Sequence, residues 1–233
     1  MRTIGLLGGM SWESTVLYYE QINQQVKAQL GGLHSAKVVL HSVDFHEIEL
    51  LQRQGDWEAA GRALAIAAQS LEAAGADVLV ICTNTMHKVV PAIEAATRLP
   101  ILHIADATAT AIKAQNLHTV GLLGTQFTME EAFYKDRLIH QHGLSVQVPA
   151  PRDRAIVHRI IYDELCLGKV QAASREAYLK IIDTLKQTGA EAIIAGCTEI
   201  TLLVKQSDLD IPLFDTTALH AAAAVDWALA TSS

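Results

Sequence analysis

Two pairs of segments in this 233-residue chain repeat one another at nearly constant spacing, and no other feature of the sequence limits the fold as much. Gly75-Ala76-Asp77-Val78-Leu79-Val80-Ile81-Cys82-Thr83-Asn84-Thr85 runs beside Gly189-Ala190-Glu191-Ala192-Ile193-Ile194-Ala195-Gly196-Cys197-Thr198-Glu199 without a gap, at an offset of 114 (189 − 75). Arg2-Thr3-Ile4-Gly5-Leu6-Leu7-Gly8-Gly9 matches His118-Thr119-Val120-Gly121-Leu122-Leu123-Gly124-Thr125 at an offset of 116 (118 − 2), and Tyr18 and Tyr134 keep that offset. Buried parallel strands resemble one another because all are runs of Val, Ile and Leu. Two matched pairs at almost one spacing point instead to duplication. Each half then opens with a short apolar strand and a turn, and reaches a second apolar strand roughly 70 residues later, the spacing of tandem βαβ units.

The element order agrees. Strands are expected at Val38 to Val43, Val78 to Ile81, Ile101 to Ile104 and Leu213 to Phe214. Asp56 to Ala74 is Ala-rich, with Leu64 and Leu71 at helical spacing, and stops at Gly75. A helix through Val90 and Ile93 fades before Pro100; Asp106 is placed to cap a helix through Ile112, and Asp215 to cap the Ala-rich C-terminal helix. Ala177 to Gln187 is the helix before Gly189. The fold class is α/β: two similar domains, each a parallel sheet flanked by helices, comprising residues 1–105 plus 213–233 and residues 106–212.

Half the residues are hydrophobic and 18% are charged, so a sizeable core can form. A net charge of −7 with no basic cluster argues against a nucleic-acid partner. No apolar run reaches membrane-spanning length. Trp12 and Glu13 suit a buried first strand and its following helix better than a signal peptide. Three cysteines at irregular spacing form neither a disulfide framework nor a metal pattern, which fits reduced thiols in a cytoplasmic protein without a metal.

In open parallel sheets ligands bind beyond the carboxyl ends of the strands, where helix N-termini aim free N–H groups. Four turns occupy such places: Gly8 to Ser11, Thr83 to Thr85, Thr125 to Thr128 and Cys197 to Glu199. They supply hydroxyls, one amide and backbone donors, with neither G-x-x-x-x-G-K-[ST] nor G-x-G-x-x-G, an inventory suited to a carboxylate. Any one of these residues alone reads as a helix cap. All four turns, in equivalent places of two copies, favour a shared ligand. Cys197 is the strongest candidate, because a thiol just before a helix N-terminus is expected to have a lowered pKa and to serve as base or nucleophile. Cys166 reads as structurally buried, His87 as either a rim ligand or a helix-surface residue, and His140 and His142 as surface residues.

At these residues the chain resembles the aspartate/glutamate racemase family, cofactor-independent amino-acid racemases of two similar α/β domains. The resemblance covers nearly the whole chain and rests on Ile4 to Ser11, Asn84-Thr85-Met86-His87, Gly121 to Thr125 with Thr128, and Gly196-Cys197-Thr198-Glu199. It implies an isomerase without cofactor, a homodimer, and two thiols on opposite faces of a substrate held in the cleft between the domains. The family pattern at the first thiol is C-N-T-x-H. Here Thr83 stands directly before Asn84-Thr85, and Cys82 is displaced by one. Consecutive residues of a strand face opposite sides, so Thr83 is expected in the catalytic seat opposite Cys197. A hydroxyl there can donate or relay a proton but cannot be a free anionic base at neutral pH.

The resemblance therefore implies deprotonation of L-aspartate or L-glutamate by Cys197, reprotonation from the Thr83 side and poor activity on D-substrates. It also assigns substrate contacts to Met10, Asn84, Thr85, Thr125, Thr128, Thr198 and Glu199. Gln52 or Arg53 is the candidate for the side-chain carboxylate, with Gln52 preferred. Glutamate racemases carry an aspartate near Gly8 and a histidine where Glu199 stands, so the chain is nearer the aspartate branch. Two alternatives stand beside this one: a single-cysteine enzyme of the superfamily, such as an arylmalonate decarboxylase, and a non-catalytic amino-acid-binding protein.

Overall fold

A computed structural model describes residues 1–230. They form two compact units, Met1–Ile104 with the described residues from His220 onward, and Ala105–Leu219. In the first, β1 (Ile4–Gly8), β2 (Val38–Ser42), β3 (Val78–Ile81) and β4 (Ile101–Leu102) make a parallel sheet in the order β2-β1-β3-β4. In the second, β5 (Thr119–Gly124), β6 (Ser145–Gln147), β7 (Ala192–Gly196) and β8 (Leu213–Asp215) pair in the order β6-β5-β7-β8, again parallel.

The duplication extends to the pairing register. Ile4 lies opposite Val78, and Val120 opposite Ala192; the two sequence offsets carry the first pair onto the second. On the outer strands Ile4 meets Val38 as Val120 meets Val146, and Val80 meets Leu102 as Ile194 meets Phe214. Because a one-residue slip would turn every side chain to the wrong face, this match means that both copies bury the same side of each strand.

The register also corrects the expected domain boundary. Leu213–Asp215 was expected in the first domain, but it pairs with β7 as the fourth strand of the second sheet. It is the counterpart of β4. The preceding Pro212 carbonyl accepts from Ile193 N–H at 2.9 Å, which extends the ladder and ties the segment to its own sheet.

Side-chain alternation fixes what each strand end presents. In the first unit Ile4, Leu6, Val78, Val80 and Cys82 enter one core with Tyr18, Ile22 and Val26 of the helix Trp12–Leu30 and with Ala221, Ala224 and Val225. Leu7, Leu79 and Ile81 enter the other, with Leu64, Ala68 and Leu71 of the helix Trp57–Ala73 and with Met86 and Ile93. Each buried Val, Leu or Ile side chain among them contributes about 1.5–3 kcal/mol. In the second unit Leu123, Ile193 and Ala195 join Val157, Ile160, Tyr178 and Ile182, and Cys197 packs against that cluster.

Several local expectations shift. The strand from Ile101 ends at Leu102, because Ile104 already begins the helix Ile104–Ala114. Asp106 thus lies in that helix's first turn instead of capping it, and its carboxylate accepts from Arg137 at 2.6 and 2.7 Å and pairs with His142 at 2.8 Å. His142 is accordingly half-buried against Asp106, whereas His140 is exposed. Asp215 does cap the helix Thr216–Leu229, accepting from Thr217 and Ala218 N–H at 2.9 and 3.2 Å. After Asn84 the chain makes a 3-10 turn, Thr85–Val89, then only Val90–Glu94 as α-helix, with Pro91 in its first turn. Among the described residues no helix is long and apolar enough to cross a membrane.

Candidate active site

The Gly8 to Ser11 turn is built by exclusion of side chains. A Cβ on Gly8 would lie 2.4 Å from Thr15 Cγ2, and Gly9, at φ +91°, passes so close to Val43 that a Cβ would meet its carbonyl oxygen at 2.2 Å. Thr15, overlooked in the sequence reading, stitches the turn: its hydroxyl accepts from Gly9 N–H at 2.8 Å and donates to Ser11 O at 2.9 Å. An oxygen four residues before a threonine on a helix is the one sequence signal that could have found it. Met10 packs in the core with Met86 and Ile48, leaving its backbone as what it offers a ligand.

At the end of β3, strand alternation separates the two candidate residues. Cys82 is fully buried, continuing the Val78 and Val80 face into the core, and burial pushes its thiol far above the ordinary range. Thr83 is the first partly exposed residue after the strand, where the chain turns and its N–H donates to Ile81 O at 2.9 Å. At the end of β7 the partly exposed residue is Cys197, in series with Ile193 and Ala195. The offset of 114 maps Leu79, Ile81 and Thr83 onto Ile193, Ala195 and Cys197.

The Thr83 turn is held from beneath by His87, which is buried and is neither a rim ligand nor a surface residue. Its Nδ1 lies 2.8 Å from Thr83 O, and its Nε2 accepts from Ile104 N–H at 3.2 Å. That pattern requires the neutral Nδ1–H tautomer. Burial, then the His103 and His220 rings 4.5 and 5.7 Å away, hold His87 well below its ordinary pKa of 6.5. His220 is itself engaged by the Tyr18 hydroxyl at 2.8 Å and by Leu102 O at 2.7 Å. Among the described residues no group of three or more His, Cys, Asp or Glu is placed to hold a metal.

Cys197 corrects the expectation of an acidified thiol. The helix that follows, Ile200–Leu203, has four residues, too few for a strong dipole. The thiol instead donates to Glu199 Oε2 at 2.9 Å. Burial first, then the Glu199 carboxylate and Cys166, raise the Cys197 pKa well above the thiol range, with the Glu199 N–H acting in the opposite sense. At neutral pH the resting group is a thiol hydrogen-bonded to a carboxylate. Cys166 sits on the short turn Leu165–Leu167, half-buried against the same core.

The remaining candidates are divided between scaffold and surface chemistry. Thr125 is the N-cap of Gln126–Glu130: its hydroxyl accepts from Thr128 N–H at 3.3 Å and lies 3.2 Å from the Thr128 hydroxyl. Thr198 accepts from the Thr217 hydroxyl at 3.1 Å, a partner that sequence spacing did not suggest. Asn84 and Thr85 are buried, 4% and 5% exposed. Gln52 is buried on the helix Phe45–Gln54 with its amide nitrogen 2.8 Å from Met86 Sδ. Arg53 points outward and pairs with Glu49 at 3.2 Å.

Residues 7–224 match the family model of the Asp/Glu/hydantoin racemases. A candidate Asp/Glu racemase of known structure from Yersinia pestis is 60% identical, with 99% of this chain and 100% of that chain covered and a TM-score of 0.94. An aspartate racemase homologue from Pyrococcus horikoshii is 31% identical over 98% and 99% of the two chains, with a TM-score of 0.85. The broad specificity amino-acid racemase RacX of Bacillus subtilis is 22% identical over 99% of this chain and all of that protein.

Proposed function

The chain belongs to the Asp/Glu/hydantoin racemase family, and we propose that it is a cofactor-independent amino-acid racemase that takes L-aspartate and L-glutamate through Cys197. One observation carries the reading: the Cys197 thiol, at the end of β7, donates to the Glu199 carboxylate at 2.9 Å. That contact gives the thiol proton somewhere to go. Transfer to Glu199 yields a thiolate, which removes the α-proton of the L-substrate and becomes a thiol again. The resulting planar carbanion takes a proton on its opposite face from a water held by the Thr83 hydroxyl, and the hydroxide left behind is neutralised through solvent by the proton that Glu199 gives up as the D-amino acid leaves. Once formed, the thiolate is a strong base toward a weakly acidic α-proton, although its high pKa keeps it scarce at neutral pH.

Support for Thr83 comes from the repeat: it aligns with Cys197 at the offset of 114 and is partly exposed, while Cys82 is committed to the core. The reading requires these two residues to act on one α-carbon. Substrate-holding groups are then Met10, Gln52, Asn84, Thr85, Thr125, Thr128, Thr198 and Glu199, with Thr125 and Thr128 contributing N–H groups because their hydroxyls face each other. A homodimer, implied by the family resemblance, and a cytoplasmic setting, suggested by three free thiols, belong to the same reading.

Proton NMR in heavy water tests it. Wild-type protein should exchange the α-proton of L-aspartate or L-glutamate faster than that of the D-isomers, and Cys197→Ala should abolish exchange. Rapid exchange of D-isomers, or activity surviving in Cys197→Ala, refutes the scheme. Loss of carbon dioxide from a malonate panel without amino-acid exchange would mark a single-cysteine decarboxylase, and binding with neither reaction an amino-acid-binding protein.

A further inference from the structure

Thr83 has both of its backbone groups pinned. Its N–H donates to Ile81 O at 2.9 Å, and its carbonyl accepts from His87 Nδ1 at 2.8 Å. With both flanking peptide planes fixed, the direction of the Thr83 Cα–Cβ bond is fixed as well. Cys197, its counterpart in the repeat, needs no side chain for this, because its carbonyl accepts from the backbone N–H of Ile200 at 3.1 Å. The residue matching His87 at the offset of 114 (201 − 87) is Thr201, whose hydroxyl donates one residue further on, to Thr198 O at 2.9 Å.

Behind His87 the clamp is braced. Ile104 N–H donates to its Nε2 at 3.2 Å, and the His103 and His220 rings stand 4.5 and 5.7 Å away. His220, fully buried, donates from Nε2 to Leu102 O at 2.7 Å, which leaves Nδ1 of the neutral ring to accept from the Tyr18 hydroxyl at 2.8 Å. His87 and His220 are thus each held at both nitrogens, and neither ring can turn without losing a partner. The offset of 112 that carries Leu102 onto Phe214 also carries His103 and His220 onto Asp215 and Thr108 (215 − 103 and 220 − 108). The imidazole cluster belongs only to the copy that ends in Thr83.

We propose that His87, braced by His220 and Tyr18, is the positioning residue of the Thr83 side of the reaction: it aims the Thr83 hydroxyl, and through it the water that returns the proton, and takes no part in the Cys197 step. This rests on the racemase reading and adds to it a residue that touches no reacting atom. The two sides can be measured apart. Exchange of the α-proton of an L-substrate needs only Cys197, whereas D-isomer formation also needs proton delivery from the Thr83 side. A misaimed hydroxyl slows the second and spares the first, and a displacement of about 1 Å costs about 100-fold.

Two amide replacements divide the histidine between them. Asn carries its side-chain nitrogen where Nδ1 stands and still donates to Thr83 O. Gln carries its oxygen where Nε2 stands and accepts from Ile104 N–H, but leaves Thr83 O without its donor. With L-aspartate in heavy water, D-isomer formation should stay within about threefold of wild type in His87→Asn and fall at least about 30-fold in His87→Gln, with α-proton exchange within about threefold in both. Long-range proton–nitrogen NMR of the histidine-labelled wild type, which needs no variant to fold, should show His87 protonated at Nδ1. Exchange and D-isomer formation that fall by one factor in His87→Gln mark a merely structural histidine and overturn the inference. So do two variants with equal D-isomer rates, or a His87 protonated at Nε2 alone. A wild type that neither exchanges nor forms D-isomer refutes the racemase reading, and the positioning role with it.

Discussion

Cys82→Ala and Thr83→Ala should separate stability from catalysis in opposite directions. Cys82 is 0% exposed among Ile4, Leu6, Tyr18, Val78 and Val80. Removing its sulfur forfeits about 0.8 kcal/mol of transfer energy, as for one buried methylene. A residual cavity of about 25 Å³ adds about 0.6 kcal/mol at ~24 cal/mol per Å³. The total of about 1.4 kcal/mol corresponds to a fall in Tm of about 3–6 °C for a chain of this length. Because the thiol faces the core, kcat/KM should stay within about twofold. Thr83 is partly exposed, so its truncation should move Tm by about 1–2 °C at most, while loss of the proton-relaying hydroxyl should lower L-substrate turnover about 100-fold. Differential scanning calorimetry and the rate of D-isomer formation from the L-substrate on the two variants decide it. If Cys82→Ala abolishes D-isomer formation and Thr83→Ala does not, strand alternation has been misapplied and Cys82 is the acid-base group.

Thr83→Cys should give exchange of D-substrates, because it places a thiol in both copies; an unchanged ratio of L to D exchange rates argues against Thr83 in that seat. Glu199→Gln should lower the Cys197 pKa, since its carboxylate is the largest raising influence after burial, and iodoacetamide should then label Cys197 faster at neutral pH. Unchanged or slower labelling would argue against the carboxylate as the influence that raises the thiol pKa. His87→Leu leaves Thr83 O and Ile104 N–H without their partner and should cost about 2–5 kcal/mol. Because folding holds the His87 pKa below 6.5, the unfolded chain binds more protons there, so stability should decline as pH falls below about 6.5 and the decline should lessen in a His87 variant. Urea titrations across pH, with His103 and His220 intact, read this directly.

What the sequence revealed follows from locality. Strand alternation is a property of adjacent residues, so the burial of Cys82 on the Val78 and Val80 face could be read without coordinates. The repeat fixed which strands correspond, and their register followed. The pairing of Leu213–Asp215 with β7 follows from the repeat, as the counterpart of β4, but a three-residue strand carries no local signal of which sheet it joins. Other features depend on partners distant in sequence: Arg137 and His142 on Asp106, Met86 on Gln52, Thr217 on Thr198. The Cys197 pKa was misread for a different reason. A helix N-terminus was assumed from the motif, whereas the segment is one short turn and the carboxylate two residues away dominates.

That last reversal changes how an asymmetric pair can turn over. Racemisation has an equilibrium constant near one, so a protein with one thiol cannot favour a product; it can only distribute the barriers. A high-pKa thiol held on a carboxylate is a scarce but strong base once ionised, and a good proton donor while neutral. A threonine is a poor base on its own but can pass on a proton from water. In the proposed reaction Cys197 deprotonates the substrate and solvent protons enter from the Thr83 side. On this account α-proton exchange of the L-substrate should outrun formation of the D-isomer, because the carbanion is more readily returned to by the thiol than reached through the hydroxyl. Equal initial rates of L-substrate exchange and D-product formation would require a donor at Thr83 as competent as a thiol, and would remove the functional meaning of the asymmetry between the two copies.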